Sequence, residues 1–223
     1  MRVCVIVRGD CARPSMNDRK YVDAIMCWTN WKQTIIDDLE KAGDTCEFAF
    51  ITYPCEIIEQ IRQDLKPAFI ELREQITQIE NFANVLSFME KQSKRFDRFV
   101  IIRCDFKYRI PITKWPKWDK SGIFIVNRDV NWPTNQLYAD TLFIVDSCTI
   151  DIFTNAFYSN IYCNTIHGLG GYLYQNNLPF HLLYDGYYNM DAHPLFALAS
   201  FETEELDIDN PKQVSPLADI SSQ

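Results

Sequence analysis

The hydrophobic positions of the chain follow two alternating patterns, one typical of buried strands and one typical of amphipathic helices. Short, nearly continuous apolar runs rich in Val, Ile and Phe predict strands that are enclosed by other layers of the fold. These runs are VCVIV at residues 3–7, CEFAFITYP at 46–54, RFVIIR at 98–103, GIFIV at 122–126, TLFIVD at 141–146 and PFHLLYDGYY at 179–188.

Between these runs, apolar residues recur at the three- and four-residue spacing of a helix. A first long helix, capped by Ser15 or Asn17, is predicted to carry Tyr21, Ile25, Trp28, Ile35 and Leu39 and to end at Gly43. A short helix is predicted at residues 57–65, and a longer one opened by Pro67, with Ile70, Ile76, Ile79, Phe82, Leu86 and Met89 on one face. Two more are predicted, one with Ile150, Phe153, Phe157 and Ile161 and one at residues 166–177.

Strands that alternate with helices predict an α/β fold whose sheet is mainly parallel and has right-handed crossovers. We therefore predict a three-layer α/β/α sandwich in a single domain that spans residues 1–200. The last segment, residues 201–223, is acidic and contains proline, so we predict that it is a flexible or loosely docked tail.

The amino-acid composition limits the classes of function and the cellular location that we expect for the chain. The 223 residues carry a formal net charge of −8, which argues against a general nucleic-acid binder because phosphate neutralisation needs a basic face. No apolar stretch has the roughly 20 residues of a membrane span, and the apolar run near Met1 is too short for a signal peptide. The eight cysteines include no Cys-x-x-Cys pair. We therefore expect reduced thiols and a cytoplasmic location.

The first predicted strand ends in the sequence Arg8-Gly9-Asp10, with Arg13 three positions later. In open α/β sheets, ligands bind beyond the carboxyl ends of the strands. Guanidinium groups bind phosphate through paired hydrogen bonds, so these arginines are candidate nucleotide contacts. The spacing matches neither a Rossmann nor a Walker loop. The alternative interpretation is an ordinary turn between a strand and a helix, with solvated arginines.

The run at residues 98–103 ends in Arg103, and Asp105 follows two positions later. On a strand these two side chains project from the same face. A carboxylate there can hold Mg²⁺ or Mn²⁺ while the arginine meets a phosphate. An internal salt bridge that ends the strand explains the same spacing equally well.

The segment that follows, residues 107–120, contains five basic residues and one acidic residue, in contrast to the acidic chain as a whole. Trp115 and Trp118 are interleaved among the basic residues. Exposed indoles beside positive charge suit a phosphorylated sugar, and single-stranded nucleic acid uses the same combination. The alternative is a solvated connection in which one tryptophan is buried.

Two aspartates flank the apolar run at residues 141–145, Asp140 just before it and Asp146 just after it. Asp146, followed by Ser147, has the pattern of a helix cap. Asp140 has no such structural explanation and is the candidate reacting carboxylate. His167 and His193 are possible metal ligands, although isolated histidines are more often structural.

These segments, in this order, resemble a family of polysaccharide-building glycosyltransferases from bacterial surface-polysaccharide loci and large DNA viruses of algae. The resemblance rests on four stretches and spans roughly residues 1–196. They are VIVRGDCAR, FDRFVIIRCDFKYRIPI, YADTLFIVDSCTIDIFTNAF and HGLGGYLYQNNLPF.

The resemblance implies a GT-A fold, a nucleotide-sugar donor, a glycan acceptor and a Mn²⁺ or Mg²⁺ ion that bridges the donor diphosphate. It implies that Asp105 binds the metal, that Arg8 and Arg13 lie at the nucleotide turn and that Asp140 lies near the acceptor. It also implies a cytoplasmic enzyme, in the host cytoplasm if the chain is viral.

The full set of predicted site residues follows from these motifs and the resemblance. Donor contacts are predicted at Arg8, Gly9, Asp10, Arg13, Arg103, Asp105, Trp115 and Trp118, metal ligands at Asp105 and His193, and a catalytic base at Asp140. The family's usual metal motif has two acidic residues, whereas Arg103 stands here in the first position and can supply part of the cation's charge. A non-catalytic carbohydrate- or nucleotide-binding module is the competing interpretation, and the stereochemical course stays open.

Overall fold

The computed structural model describes residues 1–14, 21–74, 77–129, 138–159, 165–188 and 193–199. Several predicted features lie outside these residues: the caps Ser15 and Asn17, the helical positions Ile76 and Ile161, and the acidic tail at 201–223.

A seven-stranded sheet forms the centre of the fold. Its strands are β1 (Arg2–Arg8), β4 (Thr45–Thr52), β5 (Phe69–Leu72), β6 (Arg98–Arg103), β8 (Ile123–Ile125), β10 (Leu142–Asp146) and β11 (His181–Leu182), in the spatial order β11-β8-β10-β6-β1-β4-β5. Only β10 runs against its neighbours, since it pairs antiparallel with both β6 and β8 while the other pairs are parallel. The predicted mainly parallel sheet is therefore confirmed.

Three further strand pairs lie outside the central sheet. They are β2 (Ala12–Pro14) with β3 (Tyr21–Asp23), β7 (Phe106–Tyr108) with β13 (Phe196–Leu198), and β9 (Arg128–Asp129) with β12 (Tyr187–Tyr188). The pair of β7 and β13 lies just beyond the carboxyl end of β6, because β7 begins three residues after Arg103.

Helices cover both faces of the sheet. They are α1 (Ala24–Trp31), α2 (Asp37–Lys41), α3 (Ile58–Gln60), α4 (Gln78–Gln92), α5 (Ile150–Ser159) and α6 (Gly168–Gln175). A π-helical turn at Lys32–Ile36 joins α1 to α2, a second at Ile61–Leu65 follows α3, and short 3₁₀ turns lie at Ile112–Lys114 and Ser147–Thr149.

Alternate residues of β1 point into two separate cores. Val5 packs in the core that contains Trp31 of α1, whereas Ile6 packs in the core that contains Phe82 of α4 and Phe153 of α5. This alternation is the two-residue period of a strand enclosed on both faces. The three-layer α/β/α sandwich predicted from the sequence is therefore confirmed.

Two helix boundaries differ from the prediction. Tyr21 lies in β3, and the first helix begins at Ala24, where Asp23 accepts a hydrogen bond from the Met26 N–H at 2.8 Å. Ile70 lies in β5 at the edge of the sheet, and the longer helix begins only at Gln78. Its start is fixed by a capping box between Thr77 and Glu80.

The carboxyl ends of β1, β4 and β6 meet at one edge of the sheet, because these strands are parallel and in register. The antiparallel strand β10 begins at the same edge, where Leu142 pairs with Ile102. Asp140, two residues before β10, therefore lies beside the ends of β1 and β6. This carboxyl edge is where the ligand-binding residues were predicted.

None of the seven cysteines in the described residues forms a disulfide. In the same part of the chain, no helix has both the length and the apolar character that a membrane span requires.

Candidate functional site

Five side chains at the carboxyl edge form a group that we call the charge cluster: Arg8, Arg103, Asp105, Asp140 and His167. Arg8 Nη2 lies 3.0 Å from Asp140 Oδ2 and also donates to the Asp140 carbonyl. Arg103 donates to both oxygens of Asp105, from Nε at 3.0 Å and from Nη2 at 2.7 Å. Its Nη1 lies 3.7 Å from Asp140 Oδ1. Two arginines and two aspartates thus balance one another in charge.

Asp140 lies at the centre of this cluster and is only 4% exposed in its side chain. Burial alone raises the pKa of a carboxyl group, but the positive charges of Arg8 and Arg103 outweigh burial here and hold the pKa of Asp140 well below its ordinary value. Asp140 is therefore ionised at physiological pH and has little tendency to take up a proton. The predicted role of catalytic base does not follow from this environment.

Gln78, the first residue of α4, is a cluster contact that the sequence analysis did not identify. Its Nε2 donates to Asp140 Oδ2, so one carboxylate oxygen receives donors from both Arg8 and Gln78. The signal in the sequence is the Thr-x-x-Glu pattern of Thr77 and Glu80, which fixes the start of the helix and thereby the position of Gln78.

His167 approaches Asp140 from the beginning of α6. Its Nε2 lies 3.8 Å from Asp140 Oδ1, and its Nδ1 lies 3.0 Å from the Tyr138 carbonyl oxygen. The Tyr138 N–H donates in turn to the His167 carbonyl at 3.0 Å. This reciprocal pairing holds the start of α6 against the segment that carries Asp140.

Gly170 allows α6 to approach this closely. A Cβ atom at Gly170 would lie 2.5 Å from Cγ of Tyr138 and 2.8 Å from Cδ1 of Ile125. With any larger residue at this position, the helix or the Tyr138 ring would have to move.

A cavity of about 450 Å³ lies at the ends of β1 and β4. Its lining residues are Asp10, Cys11, Ala12, Tyr53, Pro54, Cys55, Glu56 and Glu74. Three carboxylates contribute to the wall, and none of the lysines or arginines that the structure describes does. The cavity adjoins the charge cluster, because its lining residue Tyr53 lies within the electrostatic reach of Arg8. The carbonyl of Asp10, a second lining residue, accepts a hydrogen bond from the thiol of Cys104, the residue between Arg103 and Asp105.

Gly9 shapes the turn between β1 and this cavity. Its φ is +82°, a left-handed conformation that favours glycine. The Gly9 N–H donates to the Ile51 carbonyl at 3.2 Å, and the Gly9 carbonyl accepts from the Thr52 hydroxyl at 2.7 Å. Gly9 and Asp10 are therefore at the predicted edge. The side chain of Arg13 lies outside the described part of the chain.

The expectation that Trp115 and Trp118 are exposed is wrong. Both side chains are buried in the core, where Trp115 Nε1 donates to the Ile110 carbonyl at 3.1 Å. Trp118 packs against the guanidinium of Arg98, at the start of β6, with 4.7 Å between the guanidinium carbon and the ring centre. Five residue steps of ~3.3 Å separate Arg98 from Arg103, so Trp118 is about 17 Å from the charge cluster along the strand.

Asp146 lies at the N-cap position of the 3₁₀ turn at Ser147–Thr149, as its sequence pattern predicts, but its side chain makes no capping hydrogen bond there. Its carboxylate binds Arg98, with 2.6 Å between Nε and Oδ1, and accepts the Gly122 N–H at 2.9 Å. Arg98 is at the start of β6, at the edge of the sheet opposite the charge cluster. Its buried guanidinium needs a counter-charge there, and Asp146 supplies it.

His193 is 1% exposed and stacks on the ring of Phe196, with 4.1 Å between ring centres. Its Nδ1 accepts the Leu195 N–H at 3.0 Å. Burial, followed by the charge of Arg109, lowers the pKa of His193 to about 3, so the ring is neutral. The His193 carbonyl accepts from Arg109, whereas the Asp105 carbonyl accepts the Ala199 N–H, so the two predicted metal ligands flank opposite ends of the β7–β13 pair.

The predicted Mn²⁺ or Mg²⁺ site does not fit the side chains as they are arranged. Both oxygens of Asp105 already accept hydrogen bonds from the Arg103 guanidinium. Within the described ranges, no three His, Cys, Asp or Glu side chains converge as metal ligands. The salt bridge considered for Arg103 and Asp105 is present.

No protein-family model matches the chain, and no curated protein matches it in sequence. Among solved structures, the chain is similar to a protein of Desulfovibrio desulfuricans described as a candidate nucleotide-diphospho-sugar transferase. The similarity covers 84% of this chain and 81% of the other, with 11% identity and a TM-score of 0.45. At these values it identifies neither the family nor the activity of this chain.

Proposed function

We propose that the chain is a glycosyltransferase that moves a sugar from a UDP- or GDP-linked donor to a glycan hydroxyl, as in the polysaccharide-building family that its sequence resembles. The observation that carries the proposal is the adjacency of two features at the carboxyl edge: a cavity of ligand size and a pair of arginines. This is the edge at which open α/β sheets bind nucleotides.

The cavity suits the nucleoside part of the donor. Its volume of about 450 Å³ lies in the range of small-molecule sites. The carboxylates of Asp10, Glu56 and Glu74 accept hydrogen bonds from hydroxyl and N–H groups, but they repel phosphate. A diphosphate therefore lies outside this cavity, toward the charge cluster.

Arg103 is the cation that we propose for the diphosphate. Its side chain is 15% exposed, compared with 4% for Arg8. Paired N–H donors of a guanidinium bind phosphate oxygens as well as they bind the carboxylate of Asp105. A phosphate oxygen of the donor would replace an Asp105 oxygen as the acceptor for Nε or Nη2 of Arg103. Nη1 of Arg103 would stay 3.7 Å from Asp140 Oδ1.

Fixed positive charge beside the diphosphate stabilises the negative charge that develops on the departing nucleotide. The arrangement needs little reorganisation of the guanidinium, because Asp140 stays beside the Nη1 of Arg103 when the donor replaces Asp105. We propose that this preorganised charge supplies the main part of the catalysis.

Calorimetric titration with a panel of UDP- and GDP-sugars, with and without Mn²⁺, tests the proposal. We expect one donor to bind, and we expect the Asp10→Asn and Glu74→Gln variants to weaken binding while the fold is retained. Glu59→Gln, at an exposed ion pair of α3, is the matched control. The absence of heat with every donor would remove the proposal.

A non-catalytic nucleotide- or carbohydrate-binding module is the second candidate function. The observation that favours it is the commitment of both Asp105 and Asp140 to buried ion pairs, which leaves neither carboxylate in the position of a reactive group. Release of nucleoside diphosphate from a bound donor distinguishes the two functions, since a binding module releases none.

A further inference from the structure

We propose that the cavity at the carboxyl edge selects guanine, and that the Glu74 carboxylate accepts hydrogen bonds from the N1–H and N2–H groups of this base. The donor is therefore GDP-linked rather than UDP-linked. This inference rests on the proposed transferase function and names the substrate class of the same site.

The residues of the site follow the order of the strands that carry them. Arg103 ends β6, Asp10 follows β1, Tyr53 follows β4 and Glu74 follows β5, and these strands are neighbours in the order β6-β1-β4-β5. Neighbouring strands lie about 4.8 Å apart, so about 14 Å separates the first strand of this series from the last. That span accommodates a diphosphate, a ribose and a purine placed end to end.

This order assigns the parts of the nucleotide to positions along the edge. Arg103 is the cation proposed for the diphosphate, and the cavity begins on the other side of β1, at Asp10. The ribose is joined to the diphosphate, so it lies at Asp10, whose carboxylate accepts hydrogen bonds from hydroxyl groups. The base then lies farther from the charge cluster, between Tyr53 and Glu74.

Glu74 presents an ionisable carboxyl group at the end of the cavity that is farthest from the arginines. The residue is exposed and forms no ion pair with the described part of the chain, whereas Glu71 on β5 pairs with Arg73 at 2.7 Å. An ionised carboxylate has two acceptor oxygens and no donor hydrogen. It therefore favours a base edge that carries two adjacent N–H donors.

Guanine is the common base with such an edge, since its N1–H and N2–H groups lie side by side. In uracil a single N–H lies between two carbonyl oxygens, which a carboxylate repels. In adenine and in cytosine an amino group lies beside a ring nitrogen that carries a lone pair. With these three bases one oxygen of Glu74 would face an acceptor instead of a donor.

The wall around Tyr53 also has more acceptors than donors. The Asn81 amide hydrogen-bonds to the Tyr53 hydroxyl, and its Nδ2 donates to the Ile51 carbonyl at 3.3 Å. Asn81 is 1% exposed, and its Oδ1 accepts no hydrogen bond from the described residues. A buried acceptor without a donor is unfavourable, so this side of the cavity favours a ligand that brings N–H groups.

Calorimetric titration of the wild-type chain with GDP, IDP, UDP, ADP and CDP tests the choice of base. IDP differs from GDP only by the loss of the N2 amino group, so it removes one of the two proposed hydrogen bonds. We expect GDP to bind most tightly and IDP to bind about 10- to 100-fold more weakly, the range for a hydrogen bond to a charged group.

Three variants separate the role of Glu74 from a general effect of negative charge. We expect Glu74→Gln to weaken GDP binding and to bring the affinities for GDP and IDP within about threefold of one another. Asp10→Asn should weaken both nucleotides by a similar factor, because the ribose is common to them. Glu71→Gln is the matched control on the same strand and should keep the wild-type affinities.

The outcomes distinguish this inference from the function on which it rests. UDP, ADP or CDP that binds as tightly as GDP, equal affinities of the wild type for GDP and IDP, or an unchanged preference in Glu74→Gln would overturn the assignment of guanine alone. If the wild type binds no nucleoside diphosphate and no nucleotide sugar, the proposed transferase function is overturned instead.

Discussion

Arg8 and Asp140 form a buried ion pair although 132 positions separate them in the chain, with 3.0 Å between Nη2 and Oδ2. Each comes from the carboxyl edge of the sheet, Arg8 at the end of β1 and Asp140 just before β10. The pair therefore ties the first strand to the antiparallel strand across β6. It also fixes the carboxylate around which Arg103 and His167 are arranged.

The stability of the fold depends on this pair. Removal of one partner of a buried ion pair leaves an uncompensated charge and costs about 3–5 kcal/mol. We expect Asp140→Asn to lower the free energy of unfolding by this amount in urea denaturation at pH 7. Glu59→Gln, which removes an exposed partner of Arg62, should cause little change.

The effect of Asp140→Asn should also depend on pH. Because the pKa of Asp140 is lowered by folding, its contribution is present above the unfolded carboxyl value of ~3.9 and is lost as the pH falls toward the folded value. The difference between wild type and variant should therefore shrink below about pH 4. A difference that stays constant down to pH 2 would contradict the ion-pair account.

His193 should make the fold less stable in mild acid. Burial lowers its pKa to about 3 in the folded chain, whereas an unfolded histidine titrates near pH ~6.5. The unfolded chain therefore binds more protons between these values, and stability should fall by about 1.4 kcal/mol per pH unit as the pH decreases through this range. Urea midpoints of His193→Gln should show a flatter profile between pH 3.5 and about 6.5, and those of the exposed His181→Gln should follow wild type.

Divalent metal binding should be controlled by Arg103. Because Arg103 holds both oxygens of Asp105, we expect titration of the wild-type protein with MnCl₂ alone to give no heat of binding. We also expect Asp105→Asn to lower thermal stability, because it leaves the Arg103 guanidinium with one fewer counter-charge. Stoichiometric Mn²⁺ binding that Asp105→Asn abolishes would restore the metal site predicted from the sequence.

Gly170→Ala tests the contact between α6 and the segment that carries Asp140. The added methyl would lie 2.5 Å from the Tyr138 ring, so the helix or the ring must move. Such overpacking costs about 1–3 kcal/mol, and we expect a corresponding fall in unfolding free energy. NMR should show a shift of the His167 ring resonances but not those of His181. Unchanged stability together with an unchanged His167 spectrum would contradict the close packing.

The strands could be predicted from sequence where hydrophobicity alone defines them. β1 and β6 are apolar runs enclosed on both faces, and their terminal arginines mark the edge of the sheet. β5 could not be recognised, because Ile70 fits the helical spacing of the residues after it and the strand is only four residues long. The capping box at Thr77 is the local signal that separates the two elements.

The candidate site could be predicted only in part. The spacing of Arg103 and Asp105 placed both side chains on one face, but it did not show whether they bind a ligand or each other. The partners of Asp140 are distant in sequence, so no local pattern indicates that Arg8 lowers its pKa. The lysines around Trp118 in the sequence led to the prediction that its indole is exposed. In the structure, Lys117 Nζ donates to the Leu182 carbonyl, and the indole packs against the guanidinium of Arg98.

The central claim is that a nucleotide sugar binds and reacts at the carboxyl edge of the sheet. The most direct measurement is the release of nucleoside diphosphate from a panel of UDP- and GDP-sugars in the presence of glycan acceptors, for the wild type and for Asp10→Asn. We predict release from one donor class by the wild type, with an increased KM in the variant. Donor binding without any release would contradict the enzymatic account and favour a binding module.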